Sequence, residues 1–314
     1  MRHRLEYLLV VIVAFCIRWL PWRAVHWAGT AVGTLFYVFD RQHRRVAVTN
    51  LAHAFPSRSP AERRAVARGV FRHFGAMLFE LLKFSTLEPD EMLSRVEFEG
   101  IERARQAYAA GRGVFFLTAH FGCWETNGLI HALHLAPIGV MARALDNPLL
   151  NDMLERVRQC TGNWVIYRRG GIRRTLRALE SGQGVAILID QHIHGPDATL
   201  VDFFNRPAAT TTALAALALR TGAPVLPVFA VPTACGRYRI VYEHAVQPPL
   251  PESADPIREF TQRCTDVLEM YVRRYPELWL WMHRRWREPT SGAGSTGMFP
   301  AASCDAAAAD RVQD

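Results

Sequence analysis

Lysine is almost absent from this sequence, although the chain is basic. Of its 37 basic residues Lys83 is the sole lysine, so 36 are arginine, and the formal net charge is +8. A charge of this sign attracts anionic lipid head groups, phosphates and acidic carrier proteins. The six cysteines form no Cys-x-x-Cys pair, which argues against a zinc or disulfide framework and favours reduced thiols. The sequence also lacks a Gly-x-Ser-x-Gly elbow, so a serine hydrolase is not indicated.

An apolar run long enough to cross a bilayer is missing as well. Eleven consecutive apolar residues extend from Tyr7 to Ile17, whereas a span needs about 20. A cleaved signal peptide is an alternative, but bulky Trp19 and Trp22 follow where a signal peptidase requires small residues. We therefore expect residues 1–44 to form an uncleaved helical anchor in the membrane interface, with its tryptophans at head-group depth. A second apolar stretch at residues 28–39 could lie beside the first, so a shallow hairpin in the membrane is an alternative.

The pattern beyond residue 44 is typical of an α/β domain. Ser59-Pro60-Ala61-Glu62 predicts the start of an amphipathic helix. Further on, helical segments, one of them over residues 210–221, alternate with apolar runs. These runs predict strands at residues 113–119, 164–167, 184–189, 223–229 and 238–242. Such strands between helices indicate a mostly parallel central sheet covered by helices on both faces.

The domain so predicted extends over residues 45–288. After Glu288 the sequence is rich in Gly, Ser and Ala, which cannot form a core. We expect residues 289–314 to form a disordered tail.

Polar residues at strand ends are the candidates for chemistry, because ligands of such sheets lie beyond the carboxyl ends of the strands. His120 follows the first apolar run, and Glu125 comes five residues later, after a turn that contains Gly122. The carboxylate could bond one ring nitrogen and leave the other free to accept a proton. Spacing alone leaves a purely structural histidine open. Asp190 and Gln191 follow a later strand and are predicted to brace the site or contact the substrate.

The segment His120-Phe121-Gly122-Cys123-Trp124-Glu125 resembles the His-x-x-x-x-Asp/Glu block of the glycerolipid acyltransferase superfamily, in the form found in bacterial lipid A late acyltransferases. Ala119 stands where many members of the superfamily have an asparagine, which argues against the phosphatidate-forming branch. Further blocks resemble the lipid A branch in the same order, over about residues 45–288. They are Asn50-Leu51 with Phe55-Pro56, Asp190-Gln191-His192, Phe203 to Ala208 with Thr210, Ala223 to Pro227, and Pro276 to Trp286.

The resemblance implies that His120 is the general base for an acceptor hydroxyl, with Glu125 as its orienting carboxylate. The hydroxyl then attacks an acyl thioester directly, and main-chain amides near Phe121 and Gly122 are candidate donors to the oxyanion. The resemblance also implies a set of substrate-binding residues, in which guanidinium groups would meet acceptor phosphates. The arginines of this set are Arg143, Arg168 and Arg206, and a solvated surface arginine is the alternative for Arg143 and Arg168. Asp190 and Gln191 are added to the set because they follow a strand, and a structural role in the loop is the alternative for both.

The expected donor is acyl carrier protein or acyl coenzyme A carrying the fatty acyl group, and we expect no resident cofactor or metal. A lipid A precursor is the expected acceptor, and phospholipid, glycolipid or aminolipid acceptors are alternatives. We expect the protein on the cytoplasmic face of the inner membrane, without a nucleic-acid partner.

Three other classes of protein stay open. A non-catalytic membrane scaffold is the first. Cys123, three residues from His120, leaves a covalent cysteine mechanism as the second. His192, His194 and Asp197 leave a metal hydrolase as the third.

Overall fold

The computed structural model describes residues 1–167 and 170–287. Its first helices are α1 (Arg2–Trp19), α2 (Trp22–Phe39), α3 (Arg41–Ala54) and α4 (Pro60–Phe84). The later elements are α5 (Pro89–Leu93), β1 (Val96–Glu99), α6 (Ile101–Ala109), β2 (Val114–Thr118), α7 (Trp124–His134), β3 (Ile138–Ala142), α8 (Pro148–Gln159), β4 (Trp164–Tyr167), α9 (Gly171–Glu180), β5 (Gly184–Leu188), β6 (Ala198–Asp202), β7 (Pro207–Thr211), α10 (Ala213–Thr221), β8 (Val225–Ala234), β9 (Arg237–Tyr242), α11 (Pro256–Arg274) and a 3-10 turn at Pro276–Leu278. The predicted tail and Arg168 lie outside the described residues.

The central sheet has seven strands in the order β1-β9-β8-β2-β5-β3-β4. Neighbours are parallel except β8 with β9. The chain runs outward from β2 through β3 to β4 and then returns through β5 to β8. Because crossovers between parallel strands are right-handed, this reversal places α7 and α8 on one face and α9 and α10 on the other. The contacts of α7 with α8 and of α9 with α10 agree, and the predicted mostly parallel sheet is confirmed.

All five predicted strands are present, as β2, β4, β5, β8 and β9. The sequence pattern missed β1 and β3, and it missed the separate antiparallel hairpin of β6 and β7. Part of that hairpin occupies residues predicted to be helical, so α10 begins at Ala213 instead of residue 210. The predicted helix start is confirmed at α4, where Ser59 and Glu62 form a reciprocal capping box.

The second helix packs against α4 through glycines. A Cβ at Gly29 would lie 2.6 Å from the carbonyl oxygen of Gly75, and a Cβ at Gly33 would lie closer still to that of Phe71. The missing side chains let the two helix backbones approach this closely. Beside this contact, Nδ1 of His26 lies 2.7 Å from Oε1 of the buried Glu80. Helix α2 is thus firmly packed on the rest of the chain, and the predicted domain boundary at residue 44 falls within α3.

Helices α1 and α2 expose large apolar side chains. On α1 these are Leu5, Leu8, Leu9, Ile12, Phe15 and Trp19, and on α2 they are Trp27, Leu35, Phe36, Val38 and Phe39. Such a concentration is typical of a surface that contacts a partner or a lipid. Across residues 1–167 and 170–287, no helix has the length and hydropathy of a membrane span.

We expect Gly29→Ala to lower the thermal denaturation midpoint of the protein. The new methyl group would meet main-chain atoms of Gly75 and Ala76, which cannot rotate away, and overpacking of this kind costs about 1–3 kcal/mol. Gly128→Ala in α7 is the matched control, because the nearest atom to its Cβ is 3.9 Å away. The control should be neutral or slightly stabilising, since alanine is the better helix former. Equal midpoints for the two variants would contradict the close α2–α4 contact.

Candidate active site

His120 and Asp190 meet at the carboxyl edge of the sheet. Strands β2 and β5 are parallel neighbours, with Thr118 opposite Leu188, so the residues that follow both strands emerge side by side. Nδ1 of His120 lies 3.0 Å from Oδ1 of Asp190. The backbone N–H of His120 donates to Oδ2 of the same carboxylate at 3.0 Å. Two hydrogen bonds to one carboxylate therefore hold both the ring and the main chain of His120.

Asp190 is almost completely buried behind the imidazole, with a side chain that is 2% exposed. It also accepts a hydrogen bond from Nε1 of Trp279 at 2.9 Å. Burial raises the pKa of Asp190, but the charge and hydrogen bonds of His120 and the bond from Trp279 lower it more, so the pKa lies below its ordinary value. Asp190 thus positions the ring from behind, which agrees with its predicted role of bracing the site. Its side chain is too deeply buried to be the substrate contact that was the other predicted role.

The ionised Asp190 fixes the protonation of the ring. A carboxylate can only accept hydrogen bonds, so Nδ1 of His120 carries the ring proton and Nε2 keeps its lone pair. Burial lowers the pKa of His120, whereas the charge and hydrogen bond of Asp190 and the charge of Glu125 raise it, and Arg158 lowers it. The net pKa lies above the ordinary value of 6.5. The His120 side chain is 23% exposed, so the ring is accessible to a substrate.

Glu125 does not orient His120, which corrects the prediction. Its carboxylate accepts a hydrogen bond from Nε of Arg158 at 2.8 Å and a second one from Nη2 of the same guanidinium. Glu125 lies in the first turn of α7 and Arg158 in the last turn of α8, and the two helices pack together. A guanidinium binds a carboxylate through two charged hydrogen bonds and outcompetes a neutral imidazole. Sequence reasoning missed Arg158, for which no motif gave a signal.

The main-chain amides that follow His120 are already bonded within the protein. The N–H of Phe121 donates to the carbonyl of Ala119 at 2.7 Å, and that of Gly122 donates to Leu278 at 2.8 Å. The prediction that these two amides hold an oxyanion is therefore wrong for this conformation. Gly122 has a φ of 57°, and a Cβ there would collide with the carbonyl oxygen of Ala230, so the turn requires glycine.

The C-terminal segment braces the same loop from the other side. The N–H of Leu280 donates to the carbonyl of His120 at 3.1 Å, and Phe121 forms an isolated antiparallel bridge with Trp279. Helix α4 contributes His73, whose Nε2 donates to the carbonyl of Gly122 at 3.2 Å. Asp190, the C-terminal segment and α4 thus fix the loop of His120, and none of these long-range contacts has a local sequence signal.

The other predicted substrate-binding residues differ in their placement. Gln191 reaches the site, and its Nε2 lies 3.4 Å from Nε2 of His120. Arg143 is exposed and pairs with Asp146 at 3.2 Å. Arg206 is exposed in the β6–β7 turn, whose backbone is bonded to α11 through Gln262 and Glu269. The structure thus brings Gln191 to His120. Arg143 is instead paired with Asp146, and Arg206 is exposed in the β6–β7 turn.

The alternative chemistries find poor support. Cys123 is 2% exposed, and burial raises the pKa of its thiol well above the usual value, so it is a poor source of thiolate. Nε2 of His192 lies 3.3 Å from Nδ1 of His194. In the part of the chain that the structure describes, no group of three or more His, Cys, Asp or Glu side chains is placed to hold a metal ion.

Comparisons with known proteins give consistent matches. Residues 1–288 match the family model described as bacterial lipid A biosynthesis acyltransferase. The chain is 28% identical over 281 residues to the lipid A biosynthesis lauroyltransferase of Escherichia coli, which covers 88% of this chain and 89% of that protein. It is 26% identical over 279 residues to the lipid A biosynthesis palmitoleoyltransferase of the same organism, with coverages of 88% and 89%.

One solved structure is also similar, that of the 1-acyl-sn-glycerophosphate acyltransferase of Thermotoga maritima. The match covers 78% of this chain and 97% of that chain, at 15% identity and a TM-score of 0.37.

Proposed function

This chain belongs to the bacterial lipid A biosynthesis acyltransferase family and is an acyltransferase, and from that premise we propose that it transfers a fatty acyl group from a thioester to a hydroxyl of a lipid A precursor. The main support for the mechanism is His120, whose Nδ1 is held by Asp190 while the ring stays partly exposed. Support for the acceptor comes from the relatives that are named as acyltransferases of lipid A biosynthesis.

In the proposed reaction, Nε2 of His120 accepts the proton of the acceptor hydroxyl while the hydroxyl oxygen attacks the thioester carbonyl carbon. The tetrahedral intermediate then collapses and the carbon–sulfur bond breaks. The leaving thiolate takes the proton back from Nε2, so His120 returns to its starting state. Asp190 stays ionised throughout and stabilises the imidazolium that forms between the two steps.

Arg158 is the group that we assign to the developing oxyanion. Its Nε and Nη2 are bonded to Glu125, which leaves Nη1 for a ligand. Its charge acts on His120, because it lowers the pKa of that ring. The two side chains of the pair are only 16% and 12% exposed, and a fixed charge shielded from water stabilises a developing anion effectively. Glu125 then has the role of holding Arg158 in place.

Acyl carrier protein is the donor that we favour, because it is acidic and this chain carries a net charge of +8. Acyl coenzyme A is the second candidate, since it is also anionic. The exposed apolar side chains of α1 and α2 provide the surface by which the enzyme would lie on the cytoplasmic face of the inner membrane.

The direct test combines a donor comparison with an acceptor comparison. Purified protein in detergent is incubated with a lipid A precursor and either acyl carrier protein or acyl coenzyme A carrying the same chain, and mass spectrometry detects the product. Parallel reactions replace the precursor with a phospholipid or a glycolipid.

Lipid extracts of cells with and without the gene, complemented by wild type or His120→Ala, should show the same acyl group. Transfer to phospholipid or glycolipid alone would replace the proposed acceptor, and no transfer at all would overturn the proposal.

The loss of activity at acid pH should reflect protonation of the His120 ring. A protonated Nε2 cannot accept the hydroxyl proton, and a raised pKa keeps the ring protonated to higher pH. We therefore expect kcat/KM to fall as the pH is lowered, with a one-proton dependence and a midpoint above 6.5. Initial rates measured across the range from acid to neutral pH at low acceptor concentration check this. A flat profile, or a midpoint below the ordinary histidine value, would speak against His120 as the base.

A further inference from the structure

A cationic surface cavity lies where α3 meets the C-terminal segment. It has a volume of about 360 Å³ and is lined by Arg41, Gln42, Arg45, Val46 and Arg284, which we call the arginine groove. All three arginines are exposed. None of them has a carboxylate partner in residues 1–167 and 170–287. Three guanidinium groups around one cavity leave an unneutralised positive charge there.

A second cavity shows that this arrangement does not simply follow from the many arginines of the chain. That cavity, of about 600 Å³, is lined by Arg273 and Arg274 together with Asp202, Asp266 and Glu269. Its arginines face nearby carboxylates, and Arg273 is bonded to Glu269. The arginine groove has no acidic residue in its lining. The groove therefore carries a positive charge that no residue of its own lining balances.

The walls of the groove are held in place by a buried amide. The side chain of Asn50, near the end of α3, donates to the carbonyls of Trp281 and His283 at 2.8 and 2.7 Å. These bonds fix the C-terminal segment, and with it Arg284, against the helix that carries Arg41 and Arg45. The groove exists before any ligand binds, so little ordering of the backbone opposes binding.

The groove also lies close to the catalytic loop along the chain. Leu280 is bonded to the carbonyl of His120, and Arg284 is four residues further on. Residues at this separation have Cα atoms at most about 14 Å apart. The segment that carries Arg284 is therefore anchored to the loop of His120 within a few residues of the groove.

Exposed apolar residues adjoin the groove. Phe36, Val38 and Phe39 end α2 directly before Arg41, and all three are exposed. Arg44 ties this end of α2 to α3, because its Nη1 donates to the carbonyls of Tyr37 and Val38. A cationic cavity beside an apolar edge fits a ligand that has both an anionic group and hydrocarbon, which is the chemistry of an anionic lipid.

We propose that the arginine groove binds the phosphate group of an anionic membrane lipid. Guanidinium forks match phosphate oxygens, and three guanidinium groups around one cavity favour a dianionic phosphomonoester over a singly charged carboxylate. The phosphate belongs either to the acceptor or to a bulk phospholipid beside it. Only the first of these two sources rests on the proposed function.

The test measures binding in a His120→Ala background, so that it does not depend on acyl transfer. Full-length protein is titrated with vesicles of phosphatidylcholine alone and with vesicles that also contain phosphatidic acid, and inorganic phosphate serves as a competitor. The variants are Arg41→Gln, Arg45→Gln and Arg284→Gln, singly and combined. Arg220→Gln, at an exposed position of α10, makes the same change in charge elsewhere. Thermal denaturation of each variant establishes that it is folded.

Each groove substitution should weaken binding to the phosphatidic acid vesicles about fivefold, and Arg220→Gln should change it little. A parallel rise in KM for a phosphorylated acceptor, measured with His120 present, would assign the phosphate to the acceptor. Weaker vesicle binding with an unchanged KM would assign it to bulk phospholipid. The proposal is overturned if the groove variants bind like the parent, or if Arg220→Gln weakens binding equally.

Discussion

Replacement of His120 with alanine should lower kcat for acyl transfer by about 100- to 10,000-fold, the range expected for loss of a general base. The side chain lies at the carboxyl edge of the sheet with Nδ1 bonded to Asp190. The side chain is 23% exposed, so the ring is partly open to solvent. Without the ring, the hydroxyl proton would have to leave to water while the oxygen attacks, and the barrier rises accordingly.

His120→Asn is the more informative variant, because its amide N–H can still donate to the buried carboxylate of Asp190. The variant should remain folded and still lose activity, since an amide cannot accept the proton. His244→Ala, in an exposed loop, is the matched histidine control and should behave like wild type. Single-turnover rates with a thioester donor separate the chemical step from binding. Substantial activity in both His120 variants would eliminate the proposed base.

Asp190→Asn should reduce kcat by about a thousandfold or more, as expected when the partner of a catalytic histidine becomes an amide. An asparagine can donate its N–H to Nδ1 of His120, which favours the tautomer with the proton on Nε2. That tautomer cannot act as a base. The variant also loses the charge that raises the pKa of His120, while burial still lowers that pKa. The acid midpoint of its residual activity should therefore shift to lower pH.

The variant Glu125→Gln distinguishes the role of the Glu125 carboxylate from that of Asp190. Glu125 bonds Arg158, so its loss should reduce activity through the position of that guanidinium. It should leave the proton of the imidazole on Nδ1. Nitrogen NMR of the His120 ring distinguishes the two cases, because Asp190→Asn should change the tautomer and Glu125→Gln should not. The reverse pattern would restore Glu125 as the orienting group.

Local features of the sequence mark His120 as a candidate, and the family resemblance of its block implies the role of base. An apolar run predicts β2, and a polar residue that follows such a strand lies where ligands bind. Asp190 was predicted only to brace the site or contact the substrate, and its pairing with His120 could not be predicted in this way, since it depends on strand order. Asp190 follows β5, and β5 is adjacent to β2 only because the chain passes through β3 and β4 before returning. Glu125 was the nearer carboxylate along the chain, and Arg158 on α8 bonds it instead.

The elements that the pattern missed were short or incompletely buried. Strand β1 has four residues that alternate between intermediate and exposed, so it lacks the continuous apolar run of a buried strand. The arginine groove combines α3 with a segment far along the chain, and in the sequence its arginines look like any others of an arginine-rich protein. Strand β1 and the arginine groove are both formed by contacts between residues that are far apart in the sequence.

The glycine contact between α2 and α4 has a consequence for which hydroxyl groups can react. Helix α4 also holds the loop of His120 through His73, so α2, α4 and the reactive imidazole form one stiff unit. If that unit rests on a bilayer through α2, the height of Nε2 above the lipid tails is constant. The enzyme would then select among similar hydroxyl groups by their depth in the bilayer. If the contact between α2 and α4 were loosened, the enzyme would acylate hydroxyl groups at more than one depth.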